Sequence, residues 1–314
     1  MKTHDRAALP QLQGDLFLTD GGIETVLMFQ MGVQLRSFSA FELLSDDPGR
    51  RTLREYFEPF LTIAGERGTG FVLETPTWRA SPRWASELGY DAAQVEAVNR
   101  DAVALMEELR SRRERGAEPV VISGCIGPQD DGYQPRSLLS ADDAREYHAL
   151  QVETFAGTAA DMVSALTMTY PDEAIGIARA ASAAGIPCAI SFTVETDGRL
   201  PSGQGLGEAI EQVDQETGGS PAYFQINCAH PTHFEGAIAA GGPWLERVRG
   251  LRANASMRSH AELDEAEDLD DGDPHDLGAR YAELRSSMPW LNVLGGCCGT
   301  DARHVRAIGD ACAA

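Results

Sequence analysis

Residues 291–300 read LNVLGGCCGT, a short apolar run that ends in paired glycines and paired cysteines. Seven other apolar, β-rich runs of similar length precede it, and longer amphipathic stretches separate them. The eight runs are LFLTD from Leu16, GFVLE from Gly70, PVVISG from Pro119, DMVSALTM from Asp161, CAISFTV from Cys188, YFQINC from Tyr223, VRGLRANA from Val248 and LNVLGG from Leu291. Runs of this length and composition predict eight β-strands.

The stretches between these runs have helical spacing. After a helix-start signal at Asp46, for example, apolar residues recur at Leu53, Phe57 and Phe60, and a second such stretch follows Asp91. Eight β/α units in a chain of 314 residues predict a (β/α)8 TIM barrel that forms a single domain over residues 1–314. The alternative is a doubly wound open sheet, which more often has about five to seven strands.

One stretch interrupts the alternation. Residues 259–276 read SHAELDEAEDLDDGDPHD, which is rich in acids and poor in apolar side chains. We expect an exposed loop, with at most one short helix, inserted after the seventh strand, where barrel insertions often line the active-site mouth. A merely solvated run of charge is the alternative.

Composition limits the kinds of partner. The formal net charge of −22 disfavours nucleic acid and anionic membranes, because both would be repelled at long range. The apolar runs are too short to span a bilayer, and the N-terminus lacks a signal-peptide pattern. We therefore expect a soluble cytoplasmic protein that acts on small molecules, with a homo-oligomer left open. The chain contains no phosphate-binding loop motif and no dinucleotide fingerprint.

Three cysteines follow strands that should end at the same rim. Cys228 ends the sixth run, and Cys297 and Cys298 follow the eighth. In a barrel, both strand ends reach the C-terminal face, where active sites are built. Three thiolates with an open fourth position are typical of a catalytic zinc site. Three thiolates around one Zn²⁺ leave the centre with a net negative charge, which makes it a weak Lewis acid for water. Such a centre suits the holding of a substrate thiolate better than hydrolysis. The alternatives are a buried apolar Cys228 and a Cys297–Cys298 pair that is either incidental or a vicinal disulfide.

These residues belong to a pattern that covers nearly the whole chain. Its segments are DGGIETVL from Asp20, ISGCIGP from Ile122, SFTV from Ser191 with the later Gly203, INC from Ile226, ANAS from Ala253 and GGCCGT from Gly295. In them the chain resembles the homocysteine S-methyltransferase family, zinc-dependent barrel enzymes that include the betaine-, S-methylmethionine- and folate-linked homocysteine methylases. The GGCCGT segment is the most specific of these matches.

The resemblance implies a barrel fold, a zinc ion held by Cys228, Cys297 and Cys298, and displacement of a methyl group from a sulfonium or ammonium donor by the acceptor sulfur. It also implies that Asp20 pairs with the ammonium of the acceptor while the amides of Gly21 and Gly22 bind its carboxylate. Asn227, beside Cys228, is included among the expected substrate-binding residues. Asp20 could alternatively just cap a turn.

One position departs from the family. The fourth strand of the family ends in a Glu-Thr pair that grips the substrate ammonium, and here Met168 takes the glutamate position. If Met168 lines the pocket, the acceptor is less polar than homocysteine or carries its ammonium elsewhere. Glu74, at the end of the second strand, could supply a replacement carboxylate or could simply bind a loop amide.

Other candidate residues have simpler explanations. His230 and His233 follow Cys228 but are expected to start a helix, because a fourth protein ligand would close the zinc site to substrate. Trp78 and Tyr133 could stack on a cationic donor or just pack at the rim. The remaining cysteines suit core or helix positions better than ligation, namely Cys125, Cys188 and Cys312.

Three functions stay open from the sequence. The first is a zinc-dependent methyltransferase of methionine biosynthesis that uses S-methylmethionine or S-adenosylmethionine as donor and homocysteine or a related thiol as acceptor. The absence of an appended folate or cobalamin module disfavours donors that need one. The second is a zinc lyase or hydrolase of a sulfur compound on the same barrel, and the third is a non-catalytic zinc- or thiol-binding protein.

Overall fold

Eight parallel strands pair in chain order, and the last pairs with the first to close a barrel. The computed structural model describes residues 6–112, 119–266 and 268–313. The strands are β1 Phe17–Leu18, β2 Gly70–Glu74, β3 Val120–Ile126, β4 Met162–Met168, β5 Cys188–Phe192, β6 Tyr223–Asn227, β7 Val248–Ala253 and β8 Val293–Gly296. Each overlaps one of the eight predicted runs, and β3 continues two residues beyond its run, which ends at Gly124. The predicted TIM barrel is therefore confirmed and the open sheet is excluded.

Helices follow the strands and form the outer layer. They are α1 Ile23–Thr25, α2 Asp47–Arg67, α3 Pro82–Glu87, α4 Ala92–Ser111, α5 Ala141–Ala156, α6 Pro171–Ala184, α7 Leu206–Thr217, α8 Pro231–Ala240, α9 His260–Asp264, α10 Pro274–Ser287 and α11 Ala302–Cys312. A π-helical turn, Val26–Gln30, continues α1, and 3-10 turns lie at Pro10–Gln13, Arg36–Phe38, Ala40–Ser45 and Pro243–Arg247. Among the described residues, we find no helix with the length and apolar character needed to cross a membrane.

Helix α2 shows why these stretches are helical. The side chain of Asp46 caps its N-terminus by accepting a backbone amide hydrogen bond, and Gly68 ends the helix in the left-handed conformation (φ 62°). Leu53, Phe57 and Phe60 recur on one face and are buried against the barrel. The predicted helix is therefore confirmed.

The N-terminal end of the barrel is filled by side chains. A compact apolar cluster includes Leu9, which precedes β1, and inward-facing residues from the strands, namely Phe17, Val72, Val121, Met162, Ala189, Tyr223 and Val293. Layers of side chains of this kind make a barrel interior a packed core rather than a pore. Space for a ligand is therefore left at the opposite, C-terminal end.

The acidic insertion at residues 259–276 contains one short helix, α9, and the first turn of α10. It is anchored to the body of the protein by a hydrogen bond from Ser256 to Asp270 (2.7 Å) and by an ion pair between Arg303 and Asp271 (2.7 Å). Leu263, Asp264 and Asp270 line a cavity at the C-terminal end of the barrel. The insertion therefore contributes residues to the wall of this cavity.

Candidate active site and metal centre

A cavity of about 420 Å³ opens at the C-terminal ends of the strands. Its charged lining residues are Asp20, Glu24, Glu74, Arg79, Asp131, Arg252, Asp264 and Asp270, and its aromatic ones are Phe29, Phe38, Trp78 and Tyr133. Cys228, Cys297 and Cys298 also line it. Acidic groups, aromatic rings and thiols therefore share one pocket.

The three cysteines converge as predicted. Their sulfur atoms all lie within 4.8 Å of one another. Tetrahedral zinc with Zn–S bonds of about 2.3 Å places its sulfur ligands about 3.8 Å apart, so small side-chain adjustments fit all three to one ion. Burial raises the pKa of the Cys298 thiol to about 11, which means that it needs a nearby cation to become a thiolate near neutral pH.

Two of these cysteines are joined. The structure pairs Cys228 with Cys297 in a disulfide and leaves Cys298 as a free thiol. This differs from the predicted reduced state, and the predicted alternative of a Cys297–Cys298 vicinal disulfide is not formed. The ends of β6 and β8 bring the Cα atoms of Cys228 and Cys297 to 5.4 Å, which is within disulfide range. Because zinc binds thiolates, this donor set fits the metal once the bond is reduced.

The two glycines after Asp20 allow the chain to pass close to the cysteine loop. A Cβ atom on Gly22 would lie 2.5 Å from the carbonyl oxygen of Cys297, and one on Gly21 would lie 2.7 Å from that of Thr300. The amide of Gly22 donates to the carbonyl of Thr300 (3.0 Å). It is therefore already engaged, so the predicted role of this amide in binding a substrate carboxylate does not fit the structure.

Asp20 is buried at the cavity wall with both carboxylate oxygens engaged. Oδ1 pairs with Nη2 of Arg252 at 2.6 Å, and Oδ2 accepts a hydrogen bond from the hydroxyl of Tyr56 at 2.9 Å. Burial raises the pKa of Tyr56 well above its ordinary value, so this phenol stays a donor. A substrate ammonium near Asp20 would have to share the carboxylate with Arg252. Sequence reasoning did not identify either partner.

Glu74 and Arg252 leave buried polar atoms without protein partners. Among the described residues, neither Oε2 of Glu74 nor Nε and Nη1 of Arg252 has a hydrogen-bond partner. Burial raises the pKa of Glu74 to about 7, although Arg252 and the hydroxyls of Ser123 and Ser164 oppose this shift. Unsatisfied charged groups of this kind, when they line a cavity, are suited to bind a polar ligand.

Strand β4 does not place Met168 in the cavity. Met168 is fully buried in the hydrophobic core and is not a cavity-lining residue, whereas Thr167 lines the cavity. The pairing of β4 with β5 shifts register between Ala165 and Met168, and Thr167 has a left-handed backbone (φ 64°). This irregularity turns the side chain of Thr167 inward, which corrects the prediction that Met168 contacts the substrate.

Asn227 supports that irregular segment. Its Oδ1 accepts hydrogen bonds from the amide of Thr167 (2.9 Å) and the hydroxyl of Ser191 (2.7 Å), and its Nδ2 donates to the hydroxyl of Thr167 (2.8 Å). Nδ2 also lies 3.9 Å from Sγ of Cys297. Asn227 lines the cavity, but its hydrogen bonds are made mainly to the protein.

Comparison with known proteins agrees with this geometry. The model of the family described as homocysteine S-methyltransferase matches residues 17–312. The chain belongs to the homocysteine S-methyltransferase family. It is therefore a methyltransferase, as the resemblance in its motifs predicts.

Two relatives, one from maize and one from Escherichia coli, are distant in sequence from this chain. Homocysteine S-methyltransferase 4 of Zea mays is 23% identical over 261 residues, which cover 76% of this chain and 75% of the maize protein. The metallated form of the homocysteine methyltransferase MmuM from Escherichia coli is 18% identical, with a TM-score of 0.71 over 94% of this chain and 96% of that one. Its oxidized form is 19% identical, with a TM-score of 0.69 over 97% and 99% of the two chains. These structures share the fold of this chain.

Glu24 is a further acidic residue in the cavity of this homocysteine S-methyltransferase family member, and sequence reasoning missed it. It lies in α1, which begins directly after the glycine pair, and it lines the cavity. Burial raises its pKa to about 7, and the charge of Asp20 adds to the shift. Among the described residues Glu24 takes part in no ion pair with another side chain. The sequence signal that could have identified Glu24 is its position four residues after Asp20. A helical turn that begins just after Asp20 places Glu24 on the same side of the cavity.

The two histidines after Cys228 start helix α8, as expected. Nδ1 of His230 accepts a hydrogen bond from the amide of Thr232 (3.3 Å), and burial lowers the pKa of His230 to about 4. His233 contacts the carbonyl of Met257 at 2.9 Å. Neither lines the cavity.

Trp78 and Tyr133 both line the cavity. The indole of Trp78 donates to the carbonyl of Leu166 (3.4 Å), and the hydroxyl of Tyr133 lies 3.7 Å from Sγ of Cys298. The guanidinium of Arg79 is 5.1 Å from the ring centroid of Trp78, so one cation already occupies part of this aromatic surface.

The other cysteines lie where they were expected, with one addition. Cys188 is buried in β5 and Cys312 in α11, whereas Cys125 is buried in β3 and also lines the cavity. Burial raises the pKa of the Cys125 thiol well above its ordinary value, which keeps it protonated. It is not part of the three-sulfur cluster.

Proposed function

We propose that this chain is a zinc-dependent S-methyltransferase that moves a methyl group from a sulfonium donor to the thiol of homocysteine or of a related amino-thiol. S-Methylmethionine and S-adenosylmethionine are the proposed donors. The observation that carries the proposal is the convergence of three cysteine sulfurs within 4.8 Å on a cavity that also holds buried charges for an amino acid. With homocysteine as acceptor, the product is methionine, and the reaction belongs to methionine biosynthesis. A cytoplasmic location stays a prediction.

The chemistry requires a deprotonated acceptor sulfur. Zinc held by Cys228, Cys297 and Cys298 would keep that sulfur as a thiolate, whereas a free thiol with a pKa near 8.5 is mostly protonated at neutral pH. The acceptor sulfur loses its proton to solvent and forms a bond to the methyl carbon. The bond from that carbon to the donor sulfur breaks, its electron pair stays on the donor sulfur, and a neutral thioether leaves.

The cavity wall provides groups that match the charged ends of an amino-acid acceptor. The carboxylates of Glu24 and Glu74 can receive an ammonium, and the unpartnered nitrogens of Arg252 can receive a carboxylate. These groups take the place of the family glutamate, whose position is occupied by Met168 in this chain. They support an acceptor that keeps its ammonium, rather than one less polar than homocysteine.

The mouth of the cavity suits a cationic donor. Asp131 and Asp264 line it together with the rings of Trp78 and Phe38. Carboxylates attract a sulfonium from solution, and aromatic faces bind it after its water is lost. The overall net charge of −22 also attracts a cationic donor at long range.

A labelled-methyl assay tests the proposal. The reduced, zinc-loaded protein is mixed with homocysteine or other thiols and with deuteromethyl-labelled S-methylmethionine or S-adenosylmethionine, and the products are identified by mass spectrometry. We expect labelled methionine from homocysteine. Cys297→Ala, which removes one of three metal ligands, is expected to abolish both bound zinc and turnover.

Cys312→Ala is the matched control, because Cys312 lies in α11 away from the cavity and its variant should keep both properties. Full activity and stoichiometric zinc in Cys297→Ala would contradict the proposal. Release of a free fragment without a methylated thiol would instead support a lyase or hydrolase. Metal binding without turnover of any donor would support a non-catalytic protein.

A further inference from the structure

The backbone of one zinc-site cysteine is held in an unusual conformation. Cys228 has φ 53°, in the left-handed region that non-glycine residues rarely adopt and that costs about 1 kcal/mol or more. Three side chains donate to its carbonyl oxygen: Nε2 of His260 at 2.6 Å, Nδ2 of Asn254 at 3.1 Å and Oγ1 of Thr193 at 3.3 Å. The shortest of these hydrogen bonds comes from the acidic insertion.

His260 makes contacts on its other sides as well. It is the first residue of α9 and is only 4% exposed. Its Nδ1 lies 3.2 Å from Oε1 of Glu195, and its ring stacks on that of Tyr133 with centroids 3.9 Å apart and 20° between the planes. The hydroxyl of Tyr133 in turn reaches Sγ of Cys298 at 3.7 Å.

These contacts join four separate loops at one imidazole. Tyr133 follows β3, Glu195 follows β5, Cys228 follows β6, and His260 itself follows β7. Loops at a barrel rim move more easily than the strands that carry them. Metal ligands hold their positions when neighbouring groups fix their orientation, and mutation of such neighbours typically lowers metal affinity about 10- to 100-fold.

We propose that His260 is a positioning residue of the metal centre: by holding the backbone of Cys228 and the ring of Tyr133, it presets the cysteine sulfurs for one zinc ion. The proposal rests on the zinc site of the proposed function, but not on methyl transfer. It gives the acidic insertion a role in building the site in addition to lining its mouth.

The test compares metal binding by three histidine variants of the full-length, reduced protein. His260→Ala removes the hydrogen bond and the stacked ring. His260→Gln keeps an amide donor for the Cys228 carbonyl but lacks the ring. His275→Ala is the matched control, since His275 is exposed at the start of α10 and does not line the cavity.

Zinc affinity is measured by competition with a chromophoric chelator, and ligand geometry is measured by the visible absorption of the cobalt(II)-substituted protein. We expect His260→Ala to bind zinc about 10- to 100-fold more weakly and to give a shifted cobalt spectrum. His260→Gln should lose less affinity. His275→Ala should match the unchanged protein in both measurements.

Wild-type affinity and an unshifted cobalt spectrum in His260→Ala would overturn the proposal, and so would an equal loss in His275→Ala. If His260→Ala does not fold, zinc affinity and the cobalt spectrum of His260→Gln and Tyr133→Leu test the proposal instead. Thermal unfolding midpoints confirm that these two variants fold. A wild-type protein that binds zinc tightly but transfers no methyl group would contradict the proposed function alone. One that binds no zinc would contradict both.

Discussion

The carboxylates of the cavity wall outnumber its basic groups. Asp20, Glu24 and Glu74 line the cavity, whereas its basic lining residues are Arg79 and Arg252, and Arg252 is buried and paired with Asp20. A buried charge without a full complement of partners is costly, and a ligand cation reduces that cost. This imbalance is the residue-scale reason to expect an ammonium or sulfonium ligand in the pocket.

Glu74 gives a pH-dependent test at this scale. Burial raises its pKa from 4.5 to about 7, so the folded protein keeps the proton at pH values where the unfolded chain has lost it. The stability contributed by this proton is therefore full below about pH 4.5 and is lost as the pH rises towards 7. Glu74→Gln cannot ionise. In urea unfolding of the metal-free, reduced protein, we expect it to gain stability relative to wild type between pH 5 and 7, by about 1 kcal/mol per pH unit, and to show no further gain above pH 7.

Glu262 provides a control of opposite sign. Its hydrogen bond from Ser259 lowers its pKa, so its contribution to stability is present above about pH 4.5 and is lost on acidification. As the pH rises to about 4.5, Glu262→Gln should therefore lose stability relative to wild type. A difference between Glu74→Gln and wild type that does not change with pH would refute the assignment of Glu74.

At the scale of elements, strands and helices were predicted well and the irregular positions were not. Apolar runs and helix-start residues such as Asp46 are local signals, and they were sufficient to predict the barrel. The register shift in β4 exchanges Met168 for Thr167 at the cavity, and strand alternation cannot reveal such a shift. The sequence likewise contains no local signal that His260 would contact Cys228, because that contact depends on how two loops fold together.

Asn227 offers a test of how this irregular segment is held. Asn227→Leu keeps the approximate size of the side chain but leaves the buried amide of Thr167 without its acceptor. An unsatisfied buried donor costs about 1–3 kcal/mol, so we expect a loss of stability of this size in urea unfolding.

Ser191→Ala is the milder comparison, because it removes only one of the two donors to Oδ1 of Asn227. It should cost less than Asn227→Leu. An Asn227→Leu protein as stable as wild type would show that β4 keeps its irregular segment without this hydrogen bond.

At the scale of the whole molecule, closure of the barrel is what brings the chemistry together. Cys228 is 69 residues from Cys297 in the chain, yet the barrel places both at one rim. Strand order and the position of the cysteines could be predicted, because parallel strands end on the same face. The residues that complete the site are Arg252, Tyr56 and His260. Their contacts could not be predicted, because these residues come from different elements and meet only in the folded chain.

In the proposed function, the three cysteines hold one zinc ion with a coordination position open to a substrate thiol. X-ray absorption at the zinc edge tests it directly, on the reduced, zinc-loaded protein with and without homocysteine. We predict three sulfur neighbours at about 2.3 Å without homocysteine and four with it. Fewer than three sulfur neighbours, or no additional sulfur when the thiol is added, would contradict this zinc site.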